Sequence, residues 1–321
     1  MQIKKIRPMR IKQLEYLEAV IETGSINEAA KRLYLTQPSL SSAIKDLERE
    51  MGITIFQRSN SGARLTADGR EFMNYAKQIL DQVRLLDDRF KHQQALHQSF
   101  AVSAQHYAFV INAFVELIKE INSPTYKFTL RETETENIFN DLRAFKSELG
   151  VLYINNFNRR IINKLLTENG LKFTPLFVAK PHVFLSRYNP LAKRQSISLD
   201  DLTELPYLSF EQGENNSFYF SEEIQSTLSH KKEIKVSDRA TIFNLMVGLN
   251  GYTISSGIIS SKLNDDKIVA IPLELDDPIT IGIAQHQHTV PSQLSLKFIQ
   301  LLKNHIRDYG FKIIGEENER V

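Results

Sequence analysis

The sequence predicts an all-α winged helix-turn-helix head, a long linker helix and a two-lobed α/β body. Three observations carry that prediction. Residues 25–52 hold two short apolar stripes at helical spacing with only a few residues between them. Residues 72–90 hold one long stripe. From Ser99 onward, short apolar runs alternate with helical patterns, the order expected of a parallel-sheet α/β body.

Met1 to Pro8 is a basic leader without periodicity, and Met9 offers a second possible start. Leu14, Leu17 and Ile21 mark a first helix that ends at Gly24, a residue type suited to the left-handed C′ position. Ser25 followed three residues later by Glu28 forms a capping box, and Ile26, Ala29, Ala30 and Leu33 share one face of the helix it opens. Thr36 caps the next helix, whose buried face is Leu40, Ala43, Ile44, Leu47 and Met51. Pro38 is tolerated in its first turn, where N–H groups have no helical partner. The short connection forces the two helices to cross, as in a helix-turn-helix.

The outward face of that second helix carries Gln37, Ser39, Ser41, Ser42 and Lys45, with Pro38 at its start. These side chains suit base edges and phosphates, and short hydroxyls allow close approach to a groove floor. The same window also fits a helical hairpin with a solvated face. Next, ITIFQR alternates apolar and polar residues, SNSGA interrupts it and RLT resumes. The pattern predicts a hairpin wing with Arg58 and Arg64 on its arms, placed to meet phosphate.

Thr66 opens the long helix, in which Phe72, Ala76, Ile79, Val83, Leu86 and Phe90 follow a 4-3 spacing. That 3.5-residue repeat predicts a seam packed against a second copy. In the body, the strand and helix runs include FAVSA, YKFTLRET, LGVLYI, FTPLFVAKPHVFLSR and PITIGIAQH, with helices expected over SLDDLTEL, near Ser221–Ser229 and over TIFNLMVGLNG. Gly248 and Gly251 are expected at that last helix's end and turn. A strand returning after a self-contained block predicts two lobes with two chain crossings. The expected limits are 9–66 for the head, 67–97 for the linker and 98–321 for the body. Within the body, lobe 1 takes about 98–160 and 273–321, and lobe 2 about 161–272.

Charge agrees with a nucleic-acid-binding head. Residues 1–66 carry 11 Lys and Arg against 7 Asp and Glu, a net +4, whereas the whole chain is +2. Cysteine is absent, which excludes disulfides and thiolate metal sites. No apolar signal region opens the chain, and the longest uncharged run, Thr241–Ser261, has 11 Gly, Asn, Ser or Thr among its 21 residues. No membrane partner and a cytoplasmic location are expected. Ser103 and His106 could be read as nucleophile and base, but no nucleophile elbow, metal cluster or phosphate loop accompanies them. No catalytic residue, metal or cofactor is expected. A plain small-molecule binding protein is disfavoured by the basic wing.

These segments together resemble LysR-type transcriptional regulators. The resemblance rests on EAAKRLYLTQPSLSSAIKDLEREMGITIFQR, RLTADG, LSRYNPLA and FNLMVGLNGYTISSG, and spans the chain from Met9. It implies a periplasmic-binding-protein-like effector domain, a double-stranded operator with dyad symmetry, dimers through the linker helix paired into tetramers, and contact with RNA polymerase. One departure is KSELGVLYI, where Ser147 and Gly150 stand at positions the family commonly gives to glycine and aspartate. Within the family, SAQHYAFVINAF, RETETENI and VSDRATIFNL are most similar to streptococcal-type regulators of methionine and cysteine supply. Regulation of another amino-acid or cell-surface pathway is the alternative.

Ligands in open α/β sheets sit beyond the carboxyl ends of strands, near helix N-termini. That rule, with the resemblance, nominates Ser103, Gln105, His106 and Thr133 from one lobe. Asn216, Ser217, Arg239 and Thr241 come from the other. The expected co-inducer is an amino acid or precursor, its carboxylate held by Arg239. His106 could instead be structural, and Arg239 could pair with Asp238 or Glu211.

Overall fold

The computed structural model describes residues 9–59, 62–91, 98–213, 218–259 and 267–316. The chain forms two units, 1–96 and 97–321.

The head contains α1 (Ile11–Thr23), α2 (Ile26–Arg32), α3 (Gln37–Met51), β1 (Phe56–Ser59), β2 (Gly62–Leu65) and α4 (Ala67–Lys91). Its caps follow from sequence. Gly24 closes α1 at φ 66°, Ser25 accepts from the Glu28 N–H, and Thr36 accepts from the Ser39 N–H. Leu14, Leu17, Val20, Leu40, Ile44 and Leu47 are buried together, and the small Ala29 and Ala30 let α2 approach them closely. The hairpin pairs Phe56 with Leu65 and Gln57 with Arg64. Glu48 ties α3 to this wing, its Oε1 accepting from the N–H groups of Ile55 (2.7 Å) and Phe56 (3.0 Å). The Thr66 hydroxyl accepts from the Gly69 N–H at the start of α4. A Cβ on Gly69 would stand 2.2 Å from the Ile55 carbonyl, so only glycine lets the first turn of α4 lie on the wing.

The α4 stripe divides. Ala76 is buried and Phe72 packs on the head core, joined by the buried Leu80, which lies outside the predicted 4-3 pattern. Ile79 and Leu86 are exposed at 40% and 59%. At 3.6 residues per turn, 72, 79, 83 and 86 fall in an arc of about 60°, and 76 and 80 lie further round, on the side that packs on the head.

The body has two five-stranded sheets. The first runs β4 (Tyr126–Glu132), β3 (Gln98–Ala104), β5 (Leu149–Ile154), β12 (Ile279–His286), β6 (Leu171–Ala179). It is covered by α5 (Ala108–Lys119), α6 (Thr135–Arg143), α7 (Arg159–Glu168) and α9 (Gln293–Asp308). The second runs β11 (Ile268–Pro272), β7 (His182–Ser186), β10 (Tyr252–Ser255), β8 (Tyr207–Phe210), β9 (Glu233–Val236), with α8 (Arg239–Leu249) against it.

The structure corrects several expectations. The sheets are mixed rather than parallel, because β12 pairs antiparallel with β5 and β6, and β7 with β10 and β11. The boundary expected near 160 falls after β6, which pairs with β12 from Ile279↔Ala179 to His286↔Leu171 and so belongs to the first lobe. The crossings are at 180–181 and near 273–278, and they touch where the Leu273 N–H donates to the Pro181 carbonyl at 3.0 Å. The helix expected over 198–205 is reduced to a 3-10 turn at Asp200–Leu202, and the one expected over 221–229 is replaced by irregular turns that follow the 3-10 turn at Phe218–Phe220. There Asp201 bonds back to Ser198, and Glu222 and Glu223 bond to distant backbone. The left-handed residue ending α8 is Asn250 at φ 57°, not Gly248 or Gly251. Gly150 faces α6, where a Cβ would lie 2.6 Å from Ile138 Cγ2, so no aspartate fits there.

Removing the Glu48 carboxylate should strand two buried N–H groups. Glu48→Ala is expected to destabilise the wing by about 2–3 kcal/mol. Hydrogen exchange at the Ile55 and Phe56 amides should accelerate correspondingly; unchanged exchange there would mean that Glu48 is not the anchor.

Candidate functional sites: the helix face of the head and the cleft of the body

In the head, α3 presents Gln37, Pro38, Ser39, Ser42 and Lys45 to solvent, opposite the buried Leu40, Ile44 and Leu47. Ser41 is half-buried, and Ser39 shares a 2.8 Å hydroxyl contact with Thr36. Arg64 is exposed on β2; the side chain of Arg58 lies outside the described residues. Tyr34, in the turn before α3, has φ 55° and is 97% exposed.

In the body, a cleft of about 540 Å³, part of it open solvent, lies where the lobes meet. His106 and Tyr107 lead into α5 on the first lobe; Arg239 and Ile242 stand on α8 of the second; Phe184, Phe210 and Ile254 supply an apolar wall. Glu222 and Glu223 reach it from the irregular segment after Phe218–Phe220. Glu222 Oε2 accepts from the His106 backbone N–H at 2.8 Å, and its carboxylate meets the ring Nδ1 at 2.9 Å. The His106 ring lies flat on Phe210, centroids 3.8 Å apart. Arg239 faces Glu132 across the lobes at 3.6 Å, too far for a hydrogen bond. Among the described residues, its buried Nη1 has no partner, nor does Glu132 Oε1.

Burial opposes charge on His106, but Glu222, helped by Glu132 and Glu223, outweighs it and raises the imidazole above its usual 6.5. Glu223 is fully buried beside Glu222, and both effects push it up to about 8. Glu132 is raised mainly by burial, against Arg239. Burial, with these carboxylates near, also drives the Tyr107 hydroxyl well above its usual range.

Of the nominated effector residues, His106 and Arg239 meet in the cleft. Ser103 does not line it. Strand alternation turns its hydroxyl toward α6, where it donates to Asp141 (2.7 Å) and contacts the Ser147 hydroxyl (2.8 Å), itself bonded by Arg131. Gln105 is consumed structurally, its Nε2 donating to Thr135 and its Oε1 accepting from the Tyr153 N–H and the Tyr107 hydroxyl. Thr133 is half-buried outside the cleft lining, its N–H donating to the Ala104 carbonyl. Thr241 donates to Asp238, the residue capping α8. Asn216 and Ser217 lie outside the described residues. Glu132, Glu222 and Glu223 were missed; two adjacent acids in the aromatic run SFYFSEEI were the available signal.

A helix-turn-helix with an exposed polar face, together with a two-lobed body that has a cleft between its lobes, is the plan of an effector-responsive DNA-binding regulator. Residues 11–70 match the family model for the bacterial regulatory helix-turn-helix protein of the lysR family, and residues 109–307 match the LysR substrate binding domain. The chain belongs to the LysR family of transcriptional regulators and is not an enzyme. It is 27% identical over 254 residues to the HTH-type transcriptional regulator AlsR of Bacillus subtilis, covering 78% of each. It is 24% identical over 292 residues to the uncharacterized HTH-type transcriptional regulator YbhD of Escherichia coli, covering 88% of this chain and 87% of that one. The fold is shared with an OxyR mutant from Corynebacterium glutamicum at TM-score 0.54 and 19% identity, over 93% and 94% of the two chains. Among the described residues, no helix is long and apolar enough to cross a membrane.

His106 and Glu223 both bind protons more tightly folded than unfolded, so each stabilises the body at low pH and loses that contribution as pH rises. The Glu223 share fades between 4.5 and about 8, the His106 share from 6.5 through its raised folded value. The Tm of the body should therefore fall from pH 6 to 9. Glu222→Gln, which lowers both shifts, should flatten that slope; an equally steep slope would show that Glu222 is not the cause.

Proposed function

We propose that α3 enters the major groove of the operator, with Gln37, Ser39 and Ser42 at base edges and Lys45 at phosphate. Arg64 and Arg58 on the wing contact the flanking backbone. The exposed ridge of α4 pairs with a second copy, so the operator carries dyad symmetry. Support comes from the exposure of that polar face and of Ile79 and Leu86. Gln37→Ala and Ser42→Ala should each cost about 1–3 kcal/mol at the preferred operator and relax base preference. Arg64→Ala should weaken all sequences alike and lower the salt dependence. Footprinting with equal loss of specificity in both groups of variants would contradict this division. Leu86→Asp should abolish dimerisation in sedimentation while leaving the body folded.

For the body, the effector is an amino acid with an apolar side chain. The observation that carries this reading is the Arg239 guanidinium, buried with Nη1 unpaired among the described residues, beside an apolar wall and facing the Glu132 carboxylate of the first lobe. The effector carboxylate takes Arg239, its ammonium takes Glu132 or Glu222, and its side chain packs on Phe184 and Ile254. The sequence resemblance puts a sulfur amino acid or precursor first among candidates. A shift of tenfold in operator affinity requires about 1.4 kcal/mol of differential binding between two arrangements of the lobes. Calorimetry against a panel of amino acids should find one that binds, weakened at least tenfold by Arg239→Met. Failure of every amino acid would sink the zwitterion reading.

A further inference from the structure

A cavity of about 240 Å³ lies at the end of the first sheet where β5 begins and β12 ends, and it shares no lining residue with the cleft. On one side α6 ends, sending Leu142, Phe145 and Ser147 into the lining; on the other α9 begins, with Pro291 and Ser295. Strand alternation brings in both faces of the sheet. Along β12, Gln285 points to the α9 side with Ile283, and His286 to the α6 side with Ala284.

Most of the lining is apolar. Leu142 and Leu149 are each 1% exposed, the rings of Phe145 and His286 stack at 5.0 Å, and Val290 stands in solvent at the rim. A dry cavity of about 150 Å³ holds benzene, so this one has room for a ring with a short side arm.

The polar groups decide what that arm carries. The Ser147 hydroxyl is shared by Ser103 and Arg131, and Arg131 is itself faced by Asp141 at 3.8 Å. Ser292 caps α9, and Glu148 Oε2 accepts from the hydroxyls of Ser292 (2.6 Å) and Ser295 (2.7 Å). The positive end of α9, which would otherwise draw an anion, therefore already has its carboxylate. Two groups remain. Glu148 Oε1 has no hydrogen bond among the described residues, and neither has the amide of Gln285, a side chain only 8% exposed. That amide is open to the cavity, not sealed in the core. No lysine or arginine stands among the described lining residues, so a carboxylate oxygen and an amide oxygen await a cationic donor.

We propose that this cavity binds an arylalkylamine of about ten non-hydrogen atoms, its ring against Leu142, Leu149 and Phe145 and its ammonium at Glu148 Oε1 and the Gln285 amide. The site is separate from the cleft and does not depend on the amino-acid reading.

Phenethylamine is titrated into the full chain by calorimetry and ligand-observed NMR, beside 2-phenylethanol and 3-phenylpropionate as its neutral and anionic counterparts. The amine should bind about tenfold tighter than either. Phe145→Gly removes one ring of the wall at a residue with φ 53°, a conformation glycine takes without strain, so the fold should tolerate it. Gln285→Ala and Glu148→Gln remove the two polar handles, the new glutamine keeping an oxygen for the serine hydroxyls. Each of the three variants should raise the Kd roughly fivefold or more. Arg239→Met, in the cleft, should leave it unchanged. The proposal is overturned if phenethylamine does not bind, if either counterpart binds as tightly, or if Phe145→Gly and Gln285→Ala both leave the Kd unaltered. It is overturned equally if Arg239→Met weakens binding, since the amine would then sit in the cleft.

Discussion

The body depends on how a buried carboxylate is paired. Glu222 is only 9% exposed, and an isolated charge at that depth would be prohibitively costly. It is rescued by His106, which gives it both a backbone N–H and a ring nitrogen. Much of the surrounding structure follows from this pairing. The segment carrying Glu222 cannot coil into a helix while its side chain reaches the start of α5. The imidazole, fixed on one edge, lies flat on Phe210. Burial, with Glu222 beside it, pushes the Glu223 carboxyl up to about 8. It can then accept from the Phe210 N–H and the Ser221 hydroxyl without adding a second buried charge.

Much of the architecture was legible because it is locally encoded. Ser25, Thr36 and Gly24 cap the helices that their residue types announced, and the 3.6-residue stripes of α2 and α3 bury Ala29, Ala30, Leu40, Ile44 and Leu47, though Met51 at the end of the second stripe is exposed. What was not legible depended on partners distant in sequence. The apolar run of β6 could not reveal that its neighbour would be β12, about a hundred residues later, and that pairing alone decides its lobe. The alternation of β3 separated Ser103 from Val102 and Ala104, but gave no sign of which face α6 would cover. Arg239 lines the cleft, but the carboxylate it faces, Glu132, comes from a strand that no local pattern linked to it.

The linker helix shows a different limit. Its apolar residues serve two surfaces at once, and a single 3.5-residue repeat drawn through them assigns Phe72 and Ile79 to one seam. They lie only about 20° apart around the helix, yet Phe72 packs on the head core and Ile79, two turns further on, is exposed; the ion pair between Arg84 and Glu18 adds a polar fastening beside the buried residues. Leu80, absent from the repeat, is the residue that reports this division, because its burial is decided by α1 and not by its neighbours in sequence.

The contact at Gly69 has a mechanical meaning. With the α4 backbone touching the Ile55 carbonyl and Thr66 bonded to Thr54 and Gly69, there is no slack between wing and linker helix. A rod of 25 residues is about 37 Å long. Tilting it by about 5° displaces its far end by about 3 Å on that length. The close contact at Gly69 couples the direction of the rod to that of the hairpin, so the same tilt would be felt at Arg64, the residue proposed to meet the DNA backbone.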